Sequence, residues 1–184
     1  MSESHTLYLA GATNNLDAAV ATSARLGGCA YIDERDPYDH LPFRALVTVT
    51  TDNLDDLTSC SEVGLYLICQ RVIKPGSATH YGLFPMIHHP DKSHTECDSH
   101  WRDNHAPLAL EHHPYMSHYL QLSVVQRLSG PEIDGFALCG FASEDDLRNR
   151  FYVNDEGVRI IAEDIAKFAN LKKSPRRLIA RPTA

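Results

Sequence analysis

The sequence predicts an α+β fold in which two tandem βαββαβ halves close into one pseudo-dimeric α+β barrel. Three observations support it. Apolar, β-branched runs and amphipathic stretches follow one another in the order βαββαβ, twice. A local echo, Asp55-Asp56-Leu57 and Asp145-Asp146-Leu147, falls at matching places in the two halves. The linker around Lys74 to Thr79 is short, and either half alone would have a lean core, so each sheet needs the other to cover its open face.

The elements are expected in this order. Leu7 to Ala10 is a first strand, released by the turn-prone Gly11 to Asn15. Leu16, Ala19, Val20, Ser23 and Leu26 then keep one near-apolar face at helical spacing, and Gly27-Gly28 supplies the stop. Cys29 to Asp33 and the β-branched run Phe43 to Thr50 are the next two strands, separated by a loop holding Pro37 and Pro42. A short helix over 54–61, capped by Asp52 or Asn53, leads to the apolar strand Val63 to Ile73, which Lys74-Pro75-Gly76 ends. The second half repeats the plan: strand 81–88, helix 93–106, strands 119–128 and 134–141, helical stretches opening at Ser143 and running over 158–169, and a closing strand at 177–180. Each half reads as a split-βαβ, ferredoxin-like unit. The boundaries are 1–76 for a degenerate first half and 77–184 for the second.

Composition narrows the function. The chain of 184 residues has 43% hydrophobic and 22% charged residues, the proportions of an ordinary globular unit. Its net charge of -7 repels phosphate backbones and anionic lipid surfaces, so neither nucleic acid nor membrane is expected as a partner. There is no apolar run of membrane-spanning length, and the start lacks a charged segment followed by a long apolar one. The five cysteines are scattered and never form a CxxC pair, which together with that start argues for a cytoplasmic protein without a disulfide framework.

Histidine is the unusual residue, with 11 in all and nine of them between His80 and His118. Ser93-His94-Thr95-Glu96 is a capping box that opens a helix, and Cys97, Trp101, His105 and Leu108 recur on its inward stripe. Pro107 is expected to end that helix. His105 would then sit in the last turn, where the negative end of the helix dipole favours imidazolium, and would serve as a general acid or base. A histidine that only bonds a backbone carbonyl is the structural alternative. On the following strand, Tyr119, Gln121 and Ser123 share one face, opposite His118, Leu120, Leu122 and Val124. If the polar set faces the barrel, Tyr119 and Gln121 orient a substrate oxygen.

The run Trp101-Arg102-Asp103-Asn104-His105-Ala106-Pro107-Leu108 resembles the WRDxHAPL signature of the EthD family, within the dimeric α+β barrel superfamily. His113-Pro114, Tyr119-Leu120-Gln121 and Asp134-Gly135-Phe136-Ala137 resemble further segments of the same family, so the likeness spans roughly Tyr81 to Ala180. The chain departs from the family at Asn104, where an acidic residue is common, and at Leu138, where a glutamate is. The first half carries no signature and resembles a diverged partner that replaces the second subunit of a homodimer.

The resemblance implies a lyase that works without a bound cofactor on a hydrophobic cyclic or aromatic small molecule, by dehydration, decarboxylation or elimination and cyclisation. His105, Tyr119 and His88 are its expected catalytic residues; Trp101, Gln121, Phe84, Tyr38 and His40 are its expected substrate contacts. His112, His113 and His118 lie close enough for a loop metal site, but adjacent histidines chelate poorly and neither HxH nor HExxH occurs, so no metal is expected. A haem or small-ligand binding barrel and an accessory protein of an oxygenase system are the alternatives, and pairing with a second copy of the chain is left open.

Overall fold

The computed structural model describes residues 6–35 and 40–183, and the eight strands in it form a closed barrel. The first half contains β1 (Thr6–Thr13), α1 (Leu16–Leu26), β2 (Cys29–Ile32), β3 (Ala45–Thr50), a 3-10 turn (Thr51–Asn53), α2 (Leu54–Thr58) and β4 (Gly64–Lys74). The second contains β5 (His80–Met86), α3 (His94–His100), a π-helical segment (Trp101–His105), α4 (Ala106–His112), β6 (Met116–Ser129), β7 (Gly135–Phe141), α5 (Glu144–Asn149), α6 (Asp155–Ile165) and β8 (Leu178–Thr183). Neighbouring strands are antiparallel, in the order β1-β3-β2-β8-β5-β7-β6-β4 before the circle closes. Within that circle the first half contributes β4-β1-β3-β2 and the second β8-β5-β7-β6, joined by β2 with β8 and β4 with β6. Among the described residues, closure leaves no strand edge open to a second chain.

Local chemistry fixes the helix ends. Asn15 accepts from the Ala18 amide at 3.0 Å to start α1, and Gly27 takes the left-handed conformation (φ 64°) that ends it. Ser93 and Glu96 form the expected capping box at the start of α3. Ser143 accepts from the Asp146 amide at 3.1 Å and opens α5.

Alternation along the strands divides the apolar side chains into an interior and an exterior set. The barrel is filled by Tyr31, Phe43, Leu46, Tyr66, Ile68, Leu83, Leu120, Leu122 and Phe136 among others. Phe136 meets Tyr66 edge to face at 5.4 Å and Phe43 at 6.2 Å. Each such side chain contributes about 1.5–3 kcal/mol through burial, and together they make the barrel a packed core. On the outside, Leu9, Ala19, Ala30, Val47 and Leu57 join sheet and helices in the first half. Trp101, Tyr119, Phe141, Phe151 and Phe168 do so in the second.

Two expectations are corrected here. Tyr119, Gln121 and Ser123 share a face as predicted, but it is the outer one, because Leu120, Leu122 and Val124 take the barrel interior. Pro107 does not end the helix, which runs on through α4 to His112. A proline lacks the amide proton that helix bonding needs and crowds the preceding turn. The chain absorbs both by widening just ahead of it, where the Ala106 amide donates to the Trp101 carbonyl five residues back. No helix among the described residues is long and apolar enough to cross a membrane.

Candidate active site between sheet and helices

The π-helical segment sits over the outer face of β6 and β7, and a cavity of about 310 Å³ opens beside it. Its floor is Phe84, Met86, Ala137, Cys139 and Tyr119 from the sheet. Its roof is Trp101, His105, Ala109 and His113 from the α3–α4 helix, and Ile161, Ile165 and Phe168 from α6 and the turn after it. The space lies outside the barrel, in the layer between sheet and helices. Most of the lining is apolar, as ligand sites generally are, with a few polar groups converging on it.

His105 is 7% exposed. Its Nδ1 lies 3.0 Å from Oδ2 of Asp164, which is 3% exposed, and Phe168 packs against the ring at 5.0 Å. The carboxylate cannot donate, so Nδ1 carries the proton and Nε2 is left as a basic nitrogen that makes no hydrogen bond among the described residues. Burial pulls the pKa of His105 below its ordinary 6.5, against the opposing pull of Asp164. The dipole effect expected at a helix end is absent because the helix continues. A neutral imidazole with a free Nε2 is able to accept a proton.

Asp164 also meets Nε2 of His100 at 2.9 Å and the Lys167 ammonium at 3.4 Å. Burial works to raise its pKa, but the bonds from His100 and His105 outweigh that and hold the carboxylate below its usual range. It therefore stays ionised beside His105, an arrangement that favours the imidazolium whenever the ring takes up a proton.

Tyr119 supplies the second polar group, and it is 1% exposed. Its hydroxyl oxygen accepts from Trp101 Nε1 at 3.1 Å and from Gln121 Nε2 at 3.1 Å. The Gln121 orientation is set by the Trp101 carbonyl, which can only accept and takes Nε2 at 3.0 Å as a second donor beside the Ala106 amide. With two N–H groups directed at its oxygen, the Tyr119 hydroxyl has its own proton left to give, and the two incoming bonds polarise it further. Burial pushes its pKa well up, so it remains protonated. Arg71, salt-bridged to Asp98, lies over the Trp101 ring at 5.4 Å and fixes the far side of that indole.

The structure thus gathers His105, Tyr119, Trp101 and Phe84 around one space. Gln121 stands behind Tyr119 and Trp101 rather than on the wall. His88 is not brought there: its ring Nδ1 and that of His94 bond the two oxygens of Asp134, at 2.8 and 2.9 Å, beside a smaller recess. His40 is exposed and does not line the cavity, and Tyr38 lies outside the described residues. The three loop histidines part company. His113 bonds the Phe151 carbonyl at 2.9 Å, His118 bonds the Tyr81 hydroxyl at 2.6 Å, and His112 joins neither. Among the described residues no group of three or more His, Cys, Asp or Glu could hold a metal ion. Asp164 was missed by the sequence reading. Its signal is an acid set within the otherwise apolar stripe Ile161, Ile165 and Phe168 of an amphipathic helix.

The EthD domain model matches residues 89–172, which include the π-helical segment, His105, Tyr119 and Asp164. Over residues 89–172 the chain is similar to an EthD domain. No curated protein matches the chain. Among solved structures, an anthrone oxidase-like protein is similar over 100% of this chain and 93% of its own, with a TM-score of 0.58 and 8% identity. A proposed monooxygenase of Fusobacterium nucleatum subsp. nucleatum is similar over 97% of this chain and 91% of its own (TM-score 0.54, 10% identity). Another, of Lactobacillus acidophilus, is similar over 96% and 92% (TM-score 0.54, 8% identity). At such identities the likeness is one of fold, and it extends beyond the EthD domain to the first half.

These neighbours correct the lyase expectation, since their descriptions name oxidase-like and monooxygenase proteins and none names a lyase. The residues of the EthD domain could not have separated the two. A buried base and a hydroxyl donor beside an apolar wall serve proton removal, and proton removal precedes both elimination and reaction with oxygen.

Proposed function

We propose that the cavity oxygenates an electron-rich fused aromatic compound of the anthrone type, with His105 as general base and Tyr119 as hydrogen-bond donor. The observation that carries this is the His105–Asp164 pair, buried against an apolar space with Nε2 free. The descriptions of the structural neighbours support the choice of oxygen chemistry.

The chemistry balances with molecular oxygen as co-reactant. Nε2 of His105 removes a proton from a ring methylene activated by the two adjacent aryl rings and, through them, by the carbonyl across the central ring. The carbanion so formed reduces O₂ and bonds to it, and the proton returns from the imidazolium to give a hydroperoxide. Loss of water leaves a carbonyl, so CH₂ and O₂ become C=O and H₂O. Asp164 holds the imidazolium between the two proton transfers, and the Tyr119 hydroxyl donates to the oxygen that gains charge.

Residues 1–76 and 77–184 act as two ferredoxin-like units standing in for two subunits. The strand order common to both halves supports it. In that arrangement the first half closes the barrel and the second carries the chemistry. An accessory role beside a separate oxygenase is the second reading, favoured by the same neighbours; there His105→Ala leaves the partner's reaction intact.

The test is aerobic incubation of the purified chain with anthrone under ¹⁸O₂, scored against the uncatalysed rate. One ¹⁸O atom in the new carbonyl, formed faster with protein and not when His105 is replaced by Gln, is expected. A rate equal to the uncatalysed control refutes the oxygenase reading.

A further inference from the structure

Across the sheet from Tyr119 stands a cation that no acid pairs with among the described residues. Arg177 immediately precedes β8, whose Leu178 pairs with Leu83 of β5, so it stands beside Phe84 on the outer face. Its guanidinium lies 5.7 Å from the Phe84 ring and 6.0 Å from the Phe151 ring, both of which line the cavity. It follows Ser174 and Pro175, which line the cavity, and stands just behind that lining rather than in it. The side chain is half-buried, and no carboxylate pairs with it among the described residues. Among the described residues, the charged groups that act on it are Arg35 and Arg148, themselves engaged with Asp33 and Glu144, and Tyr152 and Cys139 are the other titratable neighbours. Burial and these cations hold its pKa below the usual arginine value.

A half-buried guanidinium stacked on two rings and facing two more cations is costly unless an anion reaches it. The row of paired residues shows where that anion would be. Phe84 pairs with Ala137, and Ala137 with Gln121, so Arg177 and the Tyr119–Gln121 end are three strand spacings apart, about 14 Å. We infer that Arg177 recognises a carboxylate on the substrate, at the end of the cavity remote from Tyr119. The substrate class is then an anionic fused aromatic, its acid group at one end and its reacting carbon at the other. This rests on the aromatic-substrate reading given above.

Trp101 is the single tryptophan of the chain and lines the cavity, so its fluorescence reports occupancy. Anthracene-2-carboxylate and neutral 2-hydroxymethylanthracene are titrated into the full chain, the R177Q and R177K variants, and the wild type at low and high salt. The expected result is at least tenfold tighter binding of the carboxylate by the wild type, a preference lost in R177Q, largely kept in R177K and weakened by salt. Should R177Q fail to fold, the salt dependence and R177K carry the test. Equal affinity for both probes in the wild type, or a preference that survives R177Q, overturns the role of Arg177 and leaves the cavity as an aromatic site. Failure of both probes to quench Trp101 overturns it together with the reading of the cavity. A carboxylate preference in a protein that consumes no oxygen with anthrone refutes only the oxygenase reading and upholds Arg177.

Discussion

The two halves share a strand order but treat the space between sheet and helices differently. In the first, α1 and α2 lie directly on the sheet through Leu9, Ala19, Ala30, Val47 and Leu57. Ala19 and Leu57 have no exposed surface at all, and small side chains let helix and strand approach closely. In the second, the helical run from His94 to His112 is longer, is widened by a π-helical segment, and is propped by α6, whose Asp164 holds His100 and His105. The result is a cavity rather than a contact. One strand arrangement thus serves as packing in one half and as a site in the other, and the difference resides in the helices.

Removing the base should have the largest effect. His105→Ala is expected to lower kcat for anthrone oxidation about 10²–10⁴-fold with the fold kept, read by oxygen uptake and far-ultraviolet circular dichroism. Turnover at the wild-type rate would remove His105 from the mechanism. In the first half the corresponding change touches only packing. Leu57→Ala should cost about 2–5 kcal/mol of stability in a denaturant titration while leaving kcat/KM of the folded protein within about twofold. A large loss of activity there would tie the first half to the chemistry.

Tyr119→Phe sharpens the comparison inside the site. It deletes the hydroxyl, both the proton it donates and the acceptor of the Trp101 and Gln121 N–H groups, and leaves the ring in place, so kcat should drop about 10²-fold with little change in KM. Unchanged kcat would mean that the hydroxyl serves only to hold Trp101.

The smallest effect is on pH dependence of stability. Burial lowers the pKa of His113 from 6.5 to about 4. Above 6.5 it is neutral in both states. Between 6.5 and about 4 the unfolded chain binds a proton that the folded chain refuses, so stability falls as pH falls, by up to about 1.4 kcal/mol per pH unit. His113→Gln should flatten that slope relative to wild type in denaturant titrations at pH 7, 6 and 5. An identical slope in both proteins would show that His113 is protonated without cost.

What was legible in the sequence follows the same divide. Strand and helix periods recur locally, so α1 could be read at Leu16–Leu26 and the strands to within a few residues. The WRDNHAPL run pointed to Trp101 and His105, and both line the cavity. What could not be read depended on contacts between distant segments. Asp164 lies 59 residues from His105. The direction of the Tyr119 face depends on which side of β6 the helices cover. The π-helical turn arises from Pro107 acting within a helix that tertiary packing keeps intact, whereas local preference alone ends the helix there. His88 was misplaced because its strand ends at Met86 and Asp134 draws its ring aside.

The most direct test of the central claim is a crystal structure of the chain with an anthracene-based ligand bound. Electron density is expected in the layer between the sheet and the α3–α4 helix, with a ligand oxygen or reacting carbon within about 3.5 Å of His105 Nε2 and the Tyr119 hydroxyl in hydrogen-bond reach. Density confined to the outer surface of β1 and β4, with the space beside His105 filled by its own side chains, would contradict it.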